Sequence, residues 1–388
     1  MSDKVKYLKL DILRQTLNLM RGRSGETQET NEYERLFYSM GVINTGWVKL
    51  IAKEHKPCYK VVKFKLSDNL SYLNFKKYEE MIREKIAVPK LEIYTEDTLM
   101  CFKIINEKFP VIDYRYNKGS KCLLPVGYNL DDQLEYINLC SDPNILIGGV
   151  PTCGKSTLLH EMICHIIENN QGILWLVDLK AGLEFGRYKQ LKQLKGYAQD
   201  LEPSKGIVQS FYAEMERRFK ILEKNNVQKY EDFIEKHPHS MQRAFLIIDE
   251  FTDLMQLVPK GKGKEGMYNI ISDLITIGRK ARCVGMHLIL SSQRLNADSI
   301  DSNLKNVCTA RIGFRASSAI NSEIVIGEKG CETLENYQAI LCKSGKKIFV
   351  RTMNMDMQYL NQVIEQNKGK EPIDYTPIHF IPDNLIVK

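Results

Sequence analysis

Asn144 to Leu159 reads NILIGGVPTCGKSTLL. Ile145 to Ile147 is an apolar run of strand length, and Thr157 to Ile167 has the character of a helix. Between them, Gly149-Val150-Pro151-Thr152-Cys153-Gly154-Lys155-Ser156 fits G-x-x-x-x-G-K-[ST] at every fixed position, with Thr157 next. Strand, glycine loop and helix in this order form a phosphate-binding loop. Its backbone N–H groups, with the helix N-terminus behind them, cradle phosphate oxygens. Lys155 is placed to reach the β- and γ-phosphates, and the Ser156 hydroxyl to ligate Mg²⁺. The stretch therefore predicts a nucleoside triphosphate with Mg²⁺, and by itself fits kinases, GTPases and P-loop ATPases alike.

Outward from this loop the pattern alternates strand and helix, which predicts an α/β fold with a mainly parallel sheet. Strands are expected at 144–147, 173–177, 244–248, 287–291 and 309–314, and helices at 155–168, 204–225 and 267–282. Ala244-Phe-Leu-Ile-Ile-Asp249-Glu250 is an apolar run ending in two carboxylates, a Walker B pattern. Asp249 would hold the Mg²⁺ shell and Glu250 would activate the attacking water. A third strand ends in Ser-Ser-Gln293, and a glutamine there can sense the γ-phosphate. Asp178 and Lys180 follow a further strand, where either a ligand contact or a structural ion pair fits. Lys260, Lys262 and Lys264 alternate with glycine after the Walker B strand. Such a loop either tracks a phosphate backbone or is a solvated surface.

The chain has 388 residues, 43% hydrophobic and 27% charged, enough for two or three folded domains. The expected division is a basic helical arm at 1–44, a small α+β domain at 45–120, the P-loop α/β domain at 121–368 and a tail at 369–388. In the small domain Tyr59–Leu66 alternates as a strand, Leu73 to Ile86 has one apolar helical face, and 91–94 and 99–105 read as a strand pair. No apolar run is long enough for a membrane helix, and MSDKVKYLKLD has no signal-peptide core. Ten cysteines without a C-x-x-C pair fit a reducing, cytoplasmic setting. The net charge of +7 permits a polyanionic partner without requiring one. Cys153 lies where a thiolate beside the phosphates would be open to alkylation and protected by ATP.

Further stretches resemble the FtsK/SpoIIIE family of DNA-pumping ATPases, within the FtsK–HerA class of RecA-like motors. Asp178-Leu-Lys180 with Glu184 is similar to the family's D-x-K…E stretch, and Glu214-Met-Glu-Arg217-Arg218-Phe-Lys to its E-M-E-R-R-[YF]-K helix. Asp249-Glu250-Phe-Thr-Asp253-Leu-Met is similar to D-E-[FL]-x-D-L-M. Lys280-Ala-Arg282-Cys-Val-Gly285-Met-His287-Leu-Ile-Leu-Ser-Ser-Gln293-Arg294 resembles K-A-R-x-x-G-I-H-L-I-L-x-T-Q-R, with Leu295 in place of the family's proline. Thr309-Ala-Arg311-Ile-Gly-Phe-Arg315-Ala-Ser-Ser318 resembles T-R-I-x-F-R-V-S-S with one residue inserted. Together these span about Leu123 to Met353, and the small domain more weakly resembles the β-rich domain before the family's motor.

The resemblance implies a RecA-like P-loop motor that hydrolyses ATP in a homo-hexameric ring around double-stranded DNA. A neighbour's arginine would complete each site, and Arg279, Arg282, Arg311 and Arg315 are the candidates. The family's membrane-anchored region and winged-helix domain are not matched, so sequence-directed loading is not expected. A compact form more resembles plasmid or conjugative-element coupling ATPases, with a relaxase or membrane-channel protein as partner. Two alternatives stay open: a HerA-like motor that partners a nuclease or packages phage DNA, and a nucleotide-gated adaptor that does not translocate.

Overall fold

In the computed structural model the described residues are 26–56, 58–88, 90–105, 112–116, 122–257, 269–293 and 300–369. Lys260, Lys262, Lys264, Arg294, the first part of the N-terminal arm and nearly all of the tail lie outside them. The chain divides into two compact units, residues 1–110 with 130–132, and 111–129 with 133–388.

The first unit is an antiparallel sheet with helices packed on it. Helix α1 (Glu26–Ser39) leads into β1 (Val48–His55) and β2 (Tyr59–Leu66). Two short helices follow, α2 (Tyr72–Lys76) and α3 (Glu79–Lys85), and then β3 (Lys90–Glu96) and β4 (Leu99–Ile105). The sheet order is β1-β2-β4-β3. The expected single helix over 73–86 is thus broken, with Lys77 ending α2 and Tyr78 opening α3. One face buries a cluster of aromatic rings. Phe37 meets Phe75 edge-on at 5.1 Å, and Phe64 meets Phe102 at 5.2 Å. Tyr33, Leu36 and Phe37 of α1 are buried in this core, so that part of the expected arm is integral to the sheet unit. Lys63 bridges Glu54 at 2.7 Å and Glu96 at 2.8 Å, an ordinary solvated-face pairing.

The second unit is built on a ten-stranded sheet. In chain order its strands are β5 (Leu123–Tyr128), β6 (Leu134–Asn138), β7 (Ile145–Gly148), β8 (Gly172–Asp178), β9 (Leu194–Ala198), β10 (Arg243–Asp249), β11 (Met286–Ser292), β12 (Ala310–Phe314), β13 (Gln338–Lys343) and β14 (Lys346–Arg351). The spatial order is β6-β5-β14-β13-β12-β7-β11-β10-β8-β9. From β12 to β9 every pairing is parallel, and from β12 outward to β6 every pairing is antiparallel.

The parallel strands are apolar almost throughout because helices cover both faces. Successive side chains alternate between two cores. Ile145 and Ile147 join one and Leu146 the other, and Leu174 and Leu176 oppose Trp175 and Val177. The first core is covered by α4 (Lys155–Glu168), and the second by α5 (Leu201–Lys224) and α7 (Ile270–Lys280). Between these last two in sequence lies the short α6 (Tyr230–Lys236).

Two of the family-like stretches prove structural. In α5, Glu214 receives Arg217 Nε and Arg218 Nε, each at 2.7 Å, while Arg218 Nη1 donates to Val284 O at 3.1 Å. Arg218 is fully buried, so this clamp ties α5 to the turn that starts β11. Gly285 in that turn has φ +69°, and a Cβ there would come within 2.4 Å of the Tyr230 ring. His287 is buried on β11, its Nδ1 facing Pro143 O at 3.0 Å and its Nε2 receiving Arg243 Nη1 at 3.0 Å. All ten cysteines are free thiols. Among the described residues no helix is long and apolar enough to cross a membrane.

Candidate nucleotide site

Parallel register brings the chemistry to one rim of the sheet. Asp249 at the end of β10 is level with Asp178 on β8 and Ser291 on β11. Ser292 is level with Gly148, and Gly148 with Gly313 on β12. The residues that follow these strand ends therefore meet at the carboxyl edge, the usual ligand crevice of such sheets.

The loop after β7 is held by its neighbours. Val150 N donates to Arg315 O at 2.9 Å, and Tyr337 N donates to Cys153 O at 2.9 Å. Gly149 (φ +156°) packs so closely that a Cβ would lie 2.7 Å from Phe314 Cβ. Gly154 (φ +114°) caps α4 with no side-chain hydrogen bond. The amides of Lys155, Ser156 and Thr157 open the helix and have no intrahelical acceptor, which leaves donors for an anion. Pro151 and Thr152 are exposed, while Ser156 and Thr157 are half-buried. Lys155 is buried and folds back, its Nζ donating at 2.6 Å to both Gly149 O and Val150 O. Burial lowers its pKa from the ordinary lysine value.

Cys153 differs from expectation. Its side chain is fully buried in the α4 core, with Sγ 3.6 Å from Lys155 Nζ. The loop turns this thiol inward, so it is shielded even without nucleotide.

Asp249 is fully buried. Its Oδ2 accepts from Lys180 Nζ at 2.8 Å, and its Oδ1 has no hydrogen-bond partner among the described residues. Burial pushes its carboxyl above the ordinary value, against the pull of Lys180. Asp178 is buried too, but it does not pair with Lys180. It accepts backbone N–H groups from Lys180 at 3.1 Å and from Glu184 and Phe185 at 2.8 Å each. Glu184 in turn accepts from Ser156 Oγ at 2.9 Å, with His160 Nε2 3.4 Å from its other oxygen. His160 hydrogen bonding, with Ser156 and Lys180 assisting against desolvation, holds its carboxyl down at about 2. An orphaned buried carboxylate oxygen and an adjacent loop hydroxyl are hard oxygen donors that suit Mg²⁺ with phosphate and water. Ser156 and Asp249 fit that ion.

Glu250 is buried with φ +60°, a conformation seldom taken by a non-glycine residue. Ser292 Oγ donates to its Oε1 at 2.5 Å, Thr252 Oγ1 at 3.1 Å, and the Gln293 amide reaches both carboxylate oxygens at 3.1 Å. The main chain of Gln293, rather than its side chain, is thus the observed contact. The roles of Ser292, Thr252, His160 and Tyr337 were not read from sequence. Only Ser292 carried a signal, its place in the Ser-Ser-Gln run that ends a strand.

The four arginines separate. Arg315 lies at the chain's own phosphate loop through its carbonyl. Arg311 is tied to its own backbone, donating to Cys308 O and Lys305 O at 3.3 Å each. Arg279 and Arg282 are exposed at the turn before β11, at the end of the strand opposite the nucleotide rim.

Residues 113–297 match the FtsK/SpoIIIE family model. A DNA translocase FtsK of Lactiplantibacillus plantarum is 25% identical over 317 residues, which is 77% of this chain and 38% of that protein. One of Helicobacter pylori is 30% identical over 200 residues, 50% of this chain and 22% of that protein. The chain thus spans well under half the length of these relatives. Among solved structures, the pCW3 conjugation coupling protein TcpA with ATPgS superposes with a TM-score of 0.62 at 19% identity, covering 87% of this chain and 99% of that one. The cytoplasmic domain of the Thermomonospora curvata Type VII secretion ATPase EccC gives 0.56 at 22% identity, over 70% and 34%. At such identities the likeness is one of fold.

Proposed function

We propose, from the match of residues 113–297 to the FtsK/SpoIIIE family model, that the chain hydrolyses Mg·ATP to move double-stranded DNA, in transfer of a plasmid or integrative conjugative element. The observation that carries the reading is the meeting of Lys155 and Ser156 with Asp249 and Glu250 on one sheet rim. Lys155 leaves the carbonyls of Gly149 and Val150 to neutralise the β- and γ-phosphates. The loop amides and the open end of α4 bind the phosphate oxygens. Ser156 and Asp249 would hold the Mg²⁺, which would offset charge on the transferring group. Glu250, freed from Ser292, Thr252 and the Gln293 amide, takes the proton of the attacking water.

The neighbouring protomer of a hexameric ring supplies an arginine. Arg279 and Arg282 suit that role by exposure, whereas Arg315 suits the chain's own site. Lys260, Lys262 and Lys264 are assigned to the DNA backbone on sequence grounds. A relaxase or membrane-channel protein supplies the cargo or the anchor, and the setting is cytoplasmic. The coupling protein TcpA, similar over nearly its whole length, supports the conjugative branch of this reading.

The test is ATP turnover by the purified protein with and without duplex DNA, together with displacement of a third strand from a triplex. Lys155→Ala abolishes nucleotide binding, and Glu250→Gln binds nucleotide but turns over at least about 100-fold more slowly. Turnover indifferent to duplex DNA, with no strand displaced, refutes the motor.

A further inference from the structure

The loop after β8 reaches both residues assigned to the metal. Asp178 fixes this loop by accepting three of its amides, and the fully buried Phe185 seats it. From this base Lys180 places its ammonium 2.8 Å from Asp249 Oδ2, and Glu184 places Oε1 2.9 Å from Ser156 Oγ. Each oxygen donor to the cation is therefore engaged by one residue of a single loop. The remaining oxygen of Asp249 is buried with no hydrogen-bond partner among the described residues. The Lys180 ammonium accordingly occupies one side of a carboxylate whose other side is unsatisfied.

A divalent cation at Asp249 and an ammonium in contact with the same carboxylate are like charges within a few ångströms, in a site largely shielded from water. They do not share it without mutual cost. Glu184 raises no such conflict, because a Ser156 hydroxyl that donates its proton to a carboxylate keeps its oxygen lone pairs free for a metal. Phosphate alone does not remove the Lys180 obstacle.

We propose that Lys180 is the resident counter-ion of the nucleotide-free site and that Mg²⁺, rather than the nucleotide, displaces it, while Glu184 stays on Ser156 and keeps its hydroxyl oriented. This rests on the nucleotide-site reading above. Lys180 and Glu184 are then positioning residues that act through Asp249 and Ser156. Lys180 couples metal loading to its own release from Asp249, so nucleotide bound without metal leaves that contact closed. His160 holds the second oxygen of Glu184, and Tyr188 OH lies 2.7 Å from His160 Nδ1, which anchors Glu184 beside Ser156.

The experiment compares wild type with Lys180→Met. Thermal unfolding is titrated with MgCl₂ alone, and binding of a fluorescent ADP is measured in EDTA and in Mg²⁺. The expected result is a Mg²⁺ midpoint at least tenfold lower in Lys180→Met, visible without nucleotide and without turnover. Equal midpoints overturn the proposal. If Lys180→Met does not fold, crystal structures of the wild type with ADP in EDTA and in Mg²⁺ decide. The Lys180–Asp249 contact should persist in EDTA and open beyond 4 Å in Mg²⁺, and persistence beside a bound Mg²⁺ overturns the proposal. Failure of the wild type to bind ADP under either condition instead refutes the nucleotide-site reading, and the MgCl₂ titration still reports on Lys180.

Discussion

Glu161 lies in α4, the helix that begins at the phosphate loop, and it is fully buried with neither carboxylate oxygen hydrogen-bonded among the described residues. Burial raises its pKa well above the ordinary carboxylate value. Replacing it by methionine keeps the length of the side chain and removes the polar atoms. Two effects then add. Relief of an unsatisfied buried polar group contributes about 1–3 kcal/mol. The second effect depends on pH. The folded state binds a proton that the unfolded chain has released, so stability falls by about 1.4 kcal/mol for each pH unit above the unfolded carboxyl value until the folded carboxyl titrates. Glu161→Met removes that slope. The variant should gain stability everywhere, least near pH 4 and more toward pH 8. The assay is urea unfolding of both proteins from pH 4 to 8, followed by the fluorescence of buried Trp175. A variant less stable than wild type, or one that keeps the same descending limb, refutes the reasoning. Either result means that Glu161 has a partner that the folded chain needs.

Arg218→Met leaves Glu214 buried with only Arg217 beside it, and should cost about 3–5 kcal/mol. The double variant with Glu214→Leu should recover most of that loss, as read by urea midpoints. Gly285→Ala forces a Cβ into the Tyr230 ring at positive φ and should destabilise by about 1–3 kcal/mol, measurable as a lower Tm. Glu184, whose folded value is about 2, adds stability that is complete above its unfolded value and lost as pH falls through that window. Glu184→Gln should therefore flatten the acid limb of the stability curve below pH 5 by about 1–2 kcal/mol, allowing for partial solvent screening. Cys153 should react with iodoacetamide only slowly in the native protein, with or without ATP, and rapidly in urea. Fast native labelling would show that the thiol faces outward.

The phosphate loop, the Walker B strand and four of the parallel strands beside it were legible in the chain because each is a local pattern. Fixed glycines, a lysine at a set offset and apolar runs ending in carboxylates need no knowledge of distant residues. The edge strands β6 and β9 and the antiparallel strands β5, β13 and β14 were not read, since their residues are mixed in character and β14 joins β5 from more than two hundred positions away. Chain order also could not separate motifs that act on ligand from motifs that hold the fold. The E-M-E-R-R helix and the histidine of the G-M-H run resemble a family pattern as strongly as the site does, yet Glu214, Arg218 and His287 only tie buried elements together. Tertiary structure alone placed Lys180 on Asp249, Glu184 on Ser156, and Ser292 with Thr252 on Glu250. Those contacts depend on the register of neighbouring strands and on how far each loop reaches past its strand. Local sequence determined which chemical groups stand at the rim, because motif residues are defined by spacing along the chain. Packing decided which group faces which, because charges in a buried crevice must find partners through space.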